Sequence, residues 1–139
     1  MTDICEQPSA GSGRVLFDLI RPGSPPALIC PEDGLTLTHE DVAGLVTELG
    51  GRLCSAGVER GDRVAIILPN GPEIVLCLFA IALLGAVAGP LNPEYTEAEF
   101  RFYLSDLAPR FVIASSEAPT ALLTAAGDVQ VIEATSPCT

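Results

Sequence analysis

Side chains able to do chemistry are few in this sequence, and their spacing assigns them no reaction. His39 is its one histidine, and the five cysteines (Cys5, Cys30, Cys54, Cys77 and Cys138) are widely separated, with no C-x-x-C pair. A structural zinc site needs four ligands, commonly in two close pairs, so no metal is expected. All seven basic residues are arginines (Arg14, Arg21, Arg52, Arg60, Arg63, Arg101 and Arg110), and lysine is absent. A Schiff base, a lysine general base and a Walker-type phosphate lysine are thereby excluded. Gly11-Ser12-Gly13 opens like a dinucleotide fingerprint, but Leu16 stands at the third glycine position and no strand precedes it, so the pattern is set aside.

Eighteen acidic residues against seven basic ones give a net charge of −11. Without a basic patch there is no phosphate-neutralising surface, and neither nucleic acid nor an anionic membrane is an expected partner. An apolar fraction of 48% with 18% charged residues belongs to a folding chain, and 139 residues is about one domain's length. Residues 1–6 are partly acidic and no apolar stretch precedes Pro8, which does not fit a secretory signal. A reducing, cytoplasmic setting is expected, with the cysteines serving as small buried hydrophobes.

The elements that would position these residues alternate along the chain. Residues 1–13 are polar and Gly/Ser-containing and are expected to form a flexible tail. Val15 to Ile20 suits a short helix stopped by Pro22, and residues 27–30 and 35–38 flank an Asp33-Gly34 turn as a hairpin. Val42, Leu45, Val46, Leu49 and Leu53 trace one helical face, with Thr38 placed to cap it and Gly57 to stop it. Gly44, Gly50 and Gly51 within that helix call for close packing or mark a strained, mobile helix, and close packing is favoured.

Residues 63–68 form a continuous apolar run, read as a strand covered on both faces. Pro72 opens a helix that is apolar all round from Ile74 to Leu84 and ends at Gly85, and residues 87–91 read as the next strand. Thr96-Glu97-Ala98-Glu99 is a capping box ahead of the stripe Phe100, Tyr103, Leu104 and Leu107. Residues 110–114 are a third strand, 117–126 a helix ended by Gly127, and 129–132 a fourth strand. Helices between successive strands imply right-handed crossovers and an α/β fold with a mostly parallel sheet. Residues 74–91 carry no charge, but Gly85, Gly89 and Pro90 interrupt their second half, so a buried helix feeding a strand is expected rather than a membrane span.

The order of segments resembles the opening of the adenylate-forming (AMP-binding) enzymes, which include acyl-CoA synthetases, luciferases and peptide-synthetase adenylation domains. Leu37-Thr38-His39-Glu40-Asp41-Val42 is similar to the family's L-T-Y-x-E-L, with His39 where tyrosine is usual. Gly57-Val58 with Gly61 to Ile66 resembles G-V-x-x-G-D-R-V-A-I, and Pro69 to Glu73 resembles P-N-S-x-E. Leu84 to Pro93 is similar to A-G-A-V-x-x-P-L-N-P, and residues 91–106 look most like the oxalate-CoA ligase subgroup. The likeness runs from about residue 14 to residue 132, so residues 14–139 are expected to be a partial synthetase N-terminal domain.

The resemblance implies ATP-dependent conversion of a carboxylate to an acyl-adenylate and then to acyl-CoA, with ATP, Mg and CoA as the complete enzyme's cofactors and a place in fatty acid metabolism. The family's phosphate loop, ending in Pro-Lys-Gly, and its C-terminal lysine have no counterpart in these residues, so this chain alone is expected to be inactive and to bind none of these cofactors. No residue is assigned a catalytic, cofactor-binding or metal role. His39 at a helix start, and Asn92 and Tyr95 in a helix-entry loop, are read as structural rather than as site residues. Two readings stay open: a truncated or split synthetase that needs its missing remainder or self-associates, and a standalone interaction module. The compartment implied is cytoplasmic, or peroxisomal if the chain is part of a eukaryotic full-length enzyme.

Overall fold

The computed structural model of the protein describes residues 16–134. The tail expected over residues 1–13, the Gly11-Ser12-Gly13 pattern, Arg14, Cys5 and Cys138 lie outside the described residues. A 3-10 turn at Leu16–Leu19 leads to an antiparallel hairpin of β1 (Pro26–Cys30) and β2 (Leu35–Thr38), with Gly34 at φ +65° in the turn. Helix α1 (His39–Ser55) starts where Thr38 was placed as its cap. The Thr38 hydroxyl accepts the Asp41 N–H at 3.1 Å, and the Asp41 carboxylate accepts the Thr38 N–H at 2.8 Å. That reciprocal pair satisfies two of the donors a helix start leaves open.

Seven further elements follow: β3 (Arg63–Ile67), α2 (Pro72–Leu83), β4 (Val87–Pro90), α3 (Glu97–Leu107), β5 (Phe111–Ala114), α4 (Thr120–Ala126) and β6 (Gln130–Glu133). The four strands β3 to β6 form one parallel sheet in the order β4-β3-β5-β6. Each lies within about a residue of its sequence reading. Helix α4 begins three residues later than residue 117, because Pro119 sits at its cap with φ −57° and ψ 138° and disfavours helical backbone at Ala118.

Alternation along the two central strands divides the core. Val64, Ile66 and Leu68 join Phe111 and Ile113 on the side covered by α1 and α2, against Val46, Leu53, Leu76 and Ile81. Ala65, Ile67, Val112 and Ala114 face the other way, against Phe100, Leu104 and Leu122 of α3 and α4. Both faces of β3 and β5 are therefore buried, which is why these strands read as unbroken apolar runs. No helix among the described residues is long and apolar enough to cross a membrane.

Two expectations need correcting. Close packing holds for Gly50 alone, where a Cβ would lie 3.3 Å from Leu83 Cδ2 across the α1–α2 contact, while Gly44 and Gly51 face open space. The cysteines are not all small buried hydrophobes either: Cys77 is buried, Cys30 is half-buried, and Cys54 is disulfide-bonded.

Candidate functional site

Strand order places the one feature of the sheet where a ligand would sit. The chain leaves β3 through α2 on one face and leaves β5 through α4 on the opposite face, although β3 and β5 are neighbours. In open α/β sheets such a reversal opens a crevice beyond the carboxyl ends of the strands, the usual ligand position. Here the loops at that edge are residues 68–71, 91–96 and 115–119, with Asn70 and Ser116 exposed.

Asn92 and Tyr95 stand on the loop after β4, at this carboxyl edge, and both are engaged within it. The Leu91 N–H donates to the Ile66 carbonyl at 2.9 Å, which anchors the loop to β3. Asn92 Oδ1 accepts the Glu94 N–H at 3.0 Å, a local turn that asparagine favours. The Tyr95 ring stacks on Tyr103 with centroids 4.9 Å apart and meets Phe100 edge-on at 5.8 Å. A hydrogen bond with Tyr103, with burial adding to it, raises the Tyr95 phenol above its ordinary value. These side chains shape the entry to α3, whose own capping box pairs Thr96 with Glu99.

His39 belongs to a different junction. Its Nδ1 accepts the Arg21 N–H at 3.1 Å, its own N–H donates to the Pro25 carbonyl at 3.1 Å, and the Glu40 N–H donates to the Gly23 carbonyl at 3.1 Å. These bonds lash the chain before β1 to the start of α1. The His39 ring thus accepts a backbone donor and helps clasp the chain before β1 to the helix start.

The arginines closest to the sheet gather at its amino edge. Arg63 Nε donates to the Ala108 carbonyl at 3.1 Å, and Arg110 Nη1 donates to Asp62 Oδ2 at 2.8 Å. The three carboxyl-edge loops contain no arginine, and their charged members are Glu94 and Glu117. That donor set does not fit a nucleoside triphosphate, since unpaired carboxylates repel phosphate oxygens and no cation offsets them. No group of three or more potential metal ligands occurs among the described residues.

An open parallel sheet, covered on both faces and reversing its winding between β3 and β5, defines a doubly wound α/β domain. Residues 21–137 match the family model described as AMP-binding enzyme, and the chain belongs to that family. It is 37% identical over 101 residues to an oxalate–CoA ligase of Arabidopsis thaliana, covering 72% of this chain and 20% of that protein. It is 34% identical over 87 residues to the long-chain-fatty-acid–CoA ligase FadD13 of Mycobacterium tuberculosis, covering 63% and 17%. Among solved structures, a fatty acyl CoA synthetase of Mycobacterium tuberculosis superposes with a TM-score of 0.71 at 27% identity, covering 80% of this chain and 24% of that one. The O-succinylbenzoate coenzyme A synthetase of Bacillus subtilis, in complex with AMP, gives 0.70 at 28% identity, covering 79% and 28%. The chain thus spans about a fifth of the length of the curated relatives it matches and corresponds to the N-terminal region of acid–CoA ligases.

Proposed function

We propose that the chain is a section of an AMP-forming acid–CoA ligase that builds part of the enzyme's scaffold and performs no chemistry by itself. In the whole enzyme a carboxylate attacks the α-phosphate of ATP, releasing pyrophosphate and leaving an acyl-adenylate, and the CoA thiol then displaces AMP. The observation that carries this reading is the family match over residues 21–137, on a chain that has no lysine and no cation in its carboxyl-edge loops. Such a reaction needs cationic and amide donors around the transferred phosphate. This chain's contribution is the buried pair β3 and β5, which holds the carboxyl-edge loops in place.

A second reading, a standalone interaction module that keeps this unit of the fold, is favoured by the closure of its core. Val64, Ala65, Ile66 and Val112 are fully buried among the described residues alone. ATP–pyrophosphate exchange by the purified 139-residue chain, with a panel of carboxylic acids, tests the first part of the proposal; the expected turnover equals that of the blank. Turnover that survives repurification would overturn it. Mixing the chain with a related ligase lacking the corresponding fifth of its length is expected to restore acyl-CoA formation, and failure of two folded, soluble halves to combine would favour the module.

A further inference from the structure

The sequence holds two asparagines, and the residue that follows divides them. Asn70 precedes Gly71 in the loop between β3 and α2, whereas Asn92 precedes Pro93 in the loop after β4. An asparagine side-chain amide is open to attack by the backbone nitrogen of the next residue when that nitrogen can lose its proton and nothing shields it. Proline has no N–H to lose, and Asn92 Oδ1 is in addition held by the Glu94 N–H at 3.0 Å. Glycine has the N–H and no Cβ beside it.

The fold leaves the Asn70–Gly71 pair open. Asn70 is exposed, and among the described residues neither its side-chain amide nor the Gly71 N–H makes a hydrogen bond. Gly71 caps α2 but lies outside its ladder, since Pro72 is the first helical residue. Its backbone is extended, with φ 167° and ψ −178°. The sequence has one comparable dipeptide, Asp33-Gly34, and there the Gly34 N–H is given to the Pro31 carbonyl at 3.4 Å in the hairpin turn.

We propose that Asn70 is a site of spontaneous deamidation, at which a cyclic imide forms with Gly71 and opens to isoaspartate or aspartate. Solvent base takes the Gly71 amide proton, and the nitrogen forms a bond to Asn70 Cγ. The bond from Cγ to the side-chain nitrogen breaks, and that nitrogen leaves as ammonia with a proton from water. Water then adds to one of the two imide carbonyls. Breaking the bond from Cγ to the Gly71 nitrogen restores the ordinary backbone with an aspartate. Breaking the bond from the Asn70 backbone carbonyl carbon instead routes the chain through the side chain as isoaspartate. One water is consumed and one ammonia released, with no oxidant or reductant. Either product places one further negative charge at the carboxyl edge of a chain of net charge −11, immediately before the N-cap of α2. A carboxylate is tolerated there, because the amino end of a helix favours negative charge. Isoaspartate also lengthens the backbone ahead of Pro72 by one carbon.

Incubation of the full 139-residue chain at mildly alkaline pH, with peptide mapping over several days, tests the proposal. Cleavage after arginine, which spares the Arg21–Pro22 bond, leaves residues 64–101 in one peptide holding both asparagines and residues 15–52 in another holding Asp33. Fragmentation is expected to place the ammonia-for-water mass change at Asn70, with isoaspartate at that position, and to leave Asn92 unchanged. The folded chain is expected to react within about tenfold of the rate of the guanidinium-unfolded chain, because an exposed loop offers little protection. Gly71→Ala, whose Cβ would lie 2.8 Å from the movable tip of Glu73 at Oε2, and Asn70→Gln, which alters an exposed side chain, are each expected to slow the change at least tenfold. Thermal unfolding of both variants reads whether they stay folded. An Asn70 that reacts in the unfolded chain and not in the folded one would overturn the proposal, because the loop would then be shielded. So would an Asn70 that reacts in neither. Equal reaction at Asn92, or an unchanged rate in the two variants, would overturn it as well, since direct hydrolysis of side-chain amides would then be responsible.

Discussion

The Arg110 guanidinium and the Asp62 carboxylate meet at 2.8 Å across forty-eight positions of sequence, joining the residue before β5 to the residue before β3. The same carboxylate oxygen accepts the Glu59 N–H at 2.7 Å, while the Asp62 carbonyl accepts the Val87 N–H at 2.8 Å. One residue thus ties the starts of three strands. Asp62→Ala is expected to cost about 0.5–1.5 kcal/mol in urea denaturation, by removing the exposed hydrogen bonds its carboxylate accepts from the Glu59 N–H and Arg110. Asp62→Asn, which still offers an oxygen to Glu59, should cost clearly less.

The two capping boxes make stability fall with acid. Hydrogen bonds from Thr38 hold the Asp41 carboxyl below its ordinary value, and those from Thr96 do the same for Glu99. The unfolded chain therefore takes up these protons first, so the contribution is full above the unfolded values and disappears as pH falls through the folded ones. Thermal unfolding between pH 7 and pH 3 is expected to show the steepest loss below about pH 4. A Thr38→Ala, Thr96→Ala double variant should be less stable at neutral pH, by about 1 kcal/mol per cap, and should show a shallower acid slope.

Glycines at two positions should respond in opposite senses to alanine. At Gly89 a Cβ would lie 2.5 Å from Leu107 Cδ2, between β4 and α3. Gly89→Ala is expected to destabilise the protein by about 1–3 kcal/mol through overpacking. Gly44 lies in α1 with open space around it, and Gly44→Ala is expected to stabilise by about 0.5–1 kcal/mol by removing backbone freedom from the unfolded chain. Chemical denaturation of both variants checks the pair.

Burial, with the Glu73 carboxylate nearby, pushes the Cys77 thiol from 9.0 up to about 11. Its contribution to stability is complete below pH 9 and is lost as pH rises from there toward 11, because the unfolded thiol ionises first. At pH 8 the native chain should label at Cys77 with a maleimide at least about a hundredfold more slowly than the urea-unfolded chain, from thiolate depletion and burial together. Peptide mapping after timed quenching reads the rate.

The strands and helices were legible because their signals are local. Thr38 and Thr96 each stand three residues before an acid that closes a capping box, and the apolar runs at 63–68 and 110–114 report burial on both faces. Strand order was not legible. Nothing within β4 or β5 says that they lie on opposite sides of β3, since that follows from how the layers pack. The switch between β3 and β5, which marks the carboxyl-edge crevice, was hidden for the same reason. The positions of His39 at a helix start and of Asn92 in a loop were readable, but their hydrogen-bond partners were not. The Tyr95–Tyr103 stack pairs residues eight apart through the turn of α3, and appears only once the loop has folded back on the helix.

Pro90 has a consequence for how far assembly could run. Filaments grow when a subunit carries two competent ends, each able to recruit a neighbour. The Val87 and Leu91 N–H groups bond inward to β3, so Pro90 lies on the outer side of β4 and offers no N–H to a neighbour there. A sheet edge that would otherwise invite fibres is thereby stopped on the β4 side.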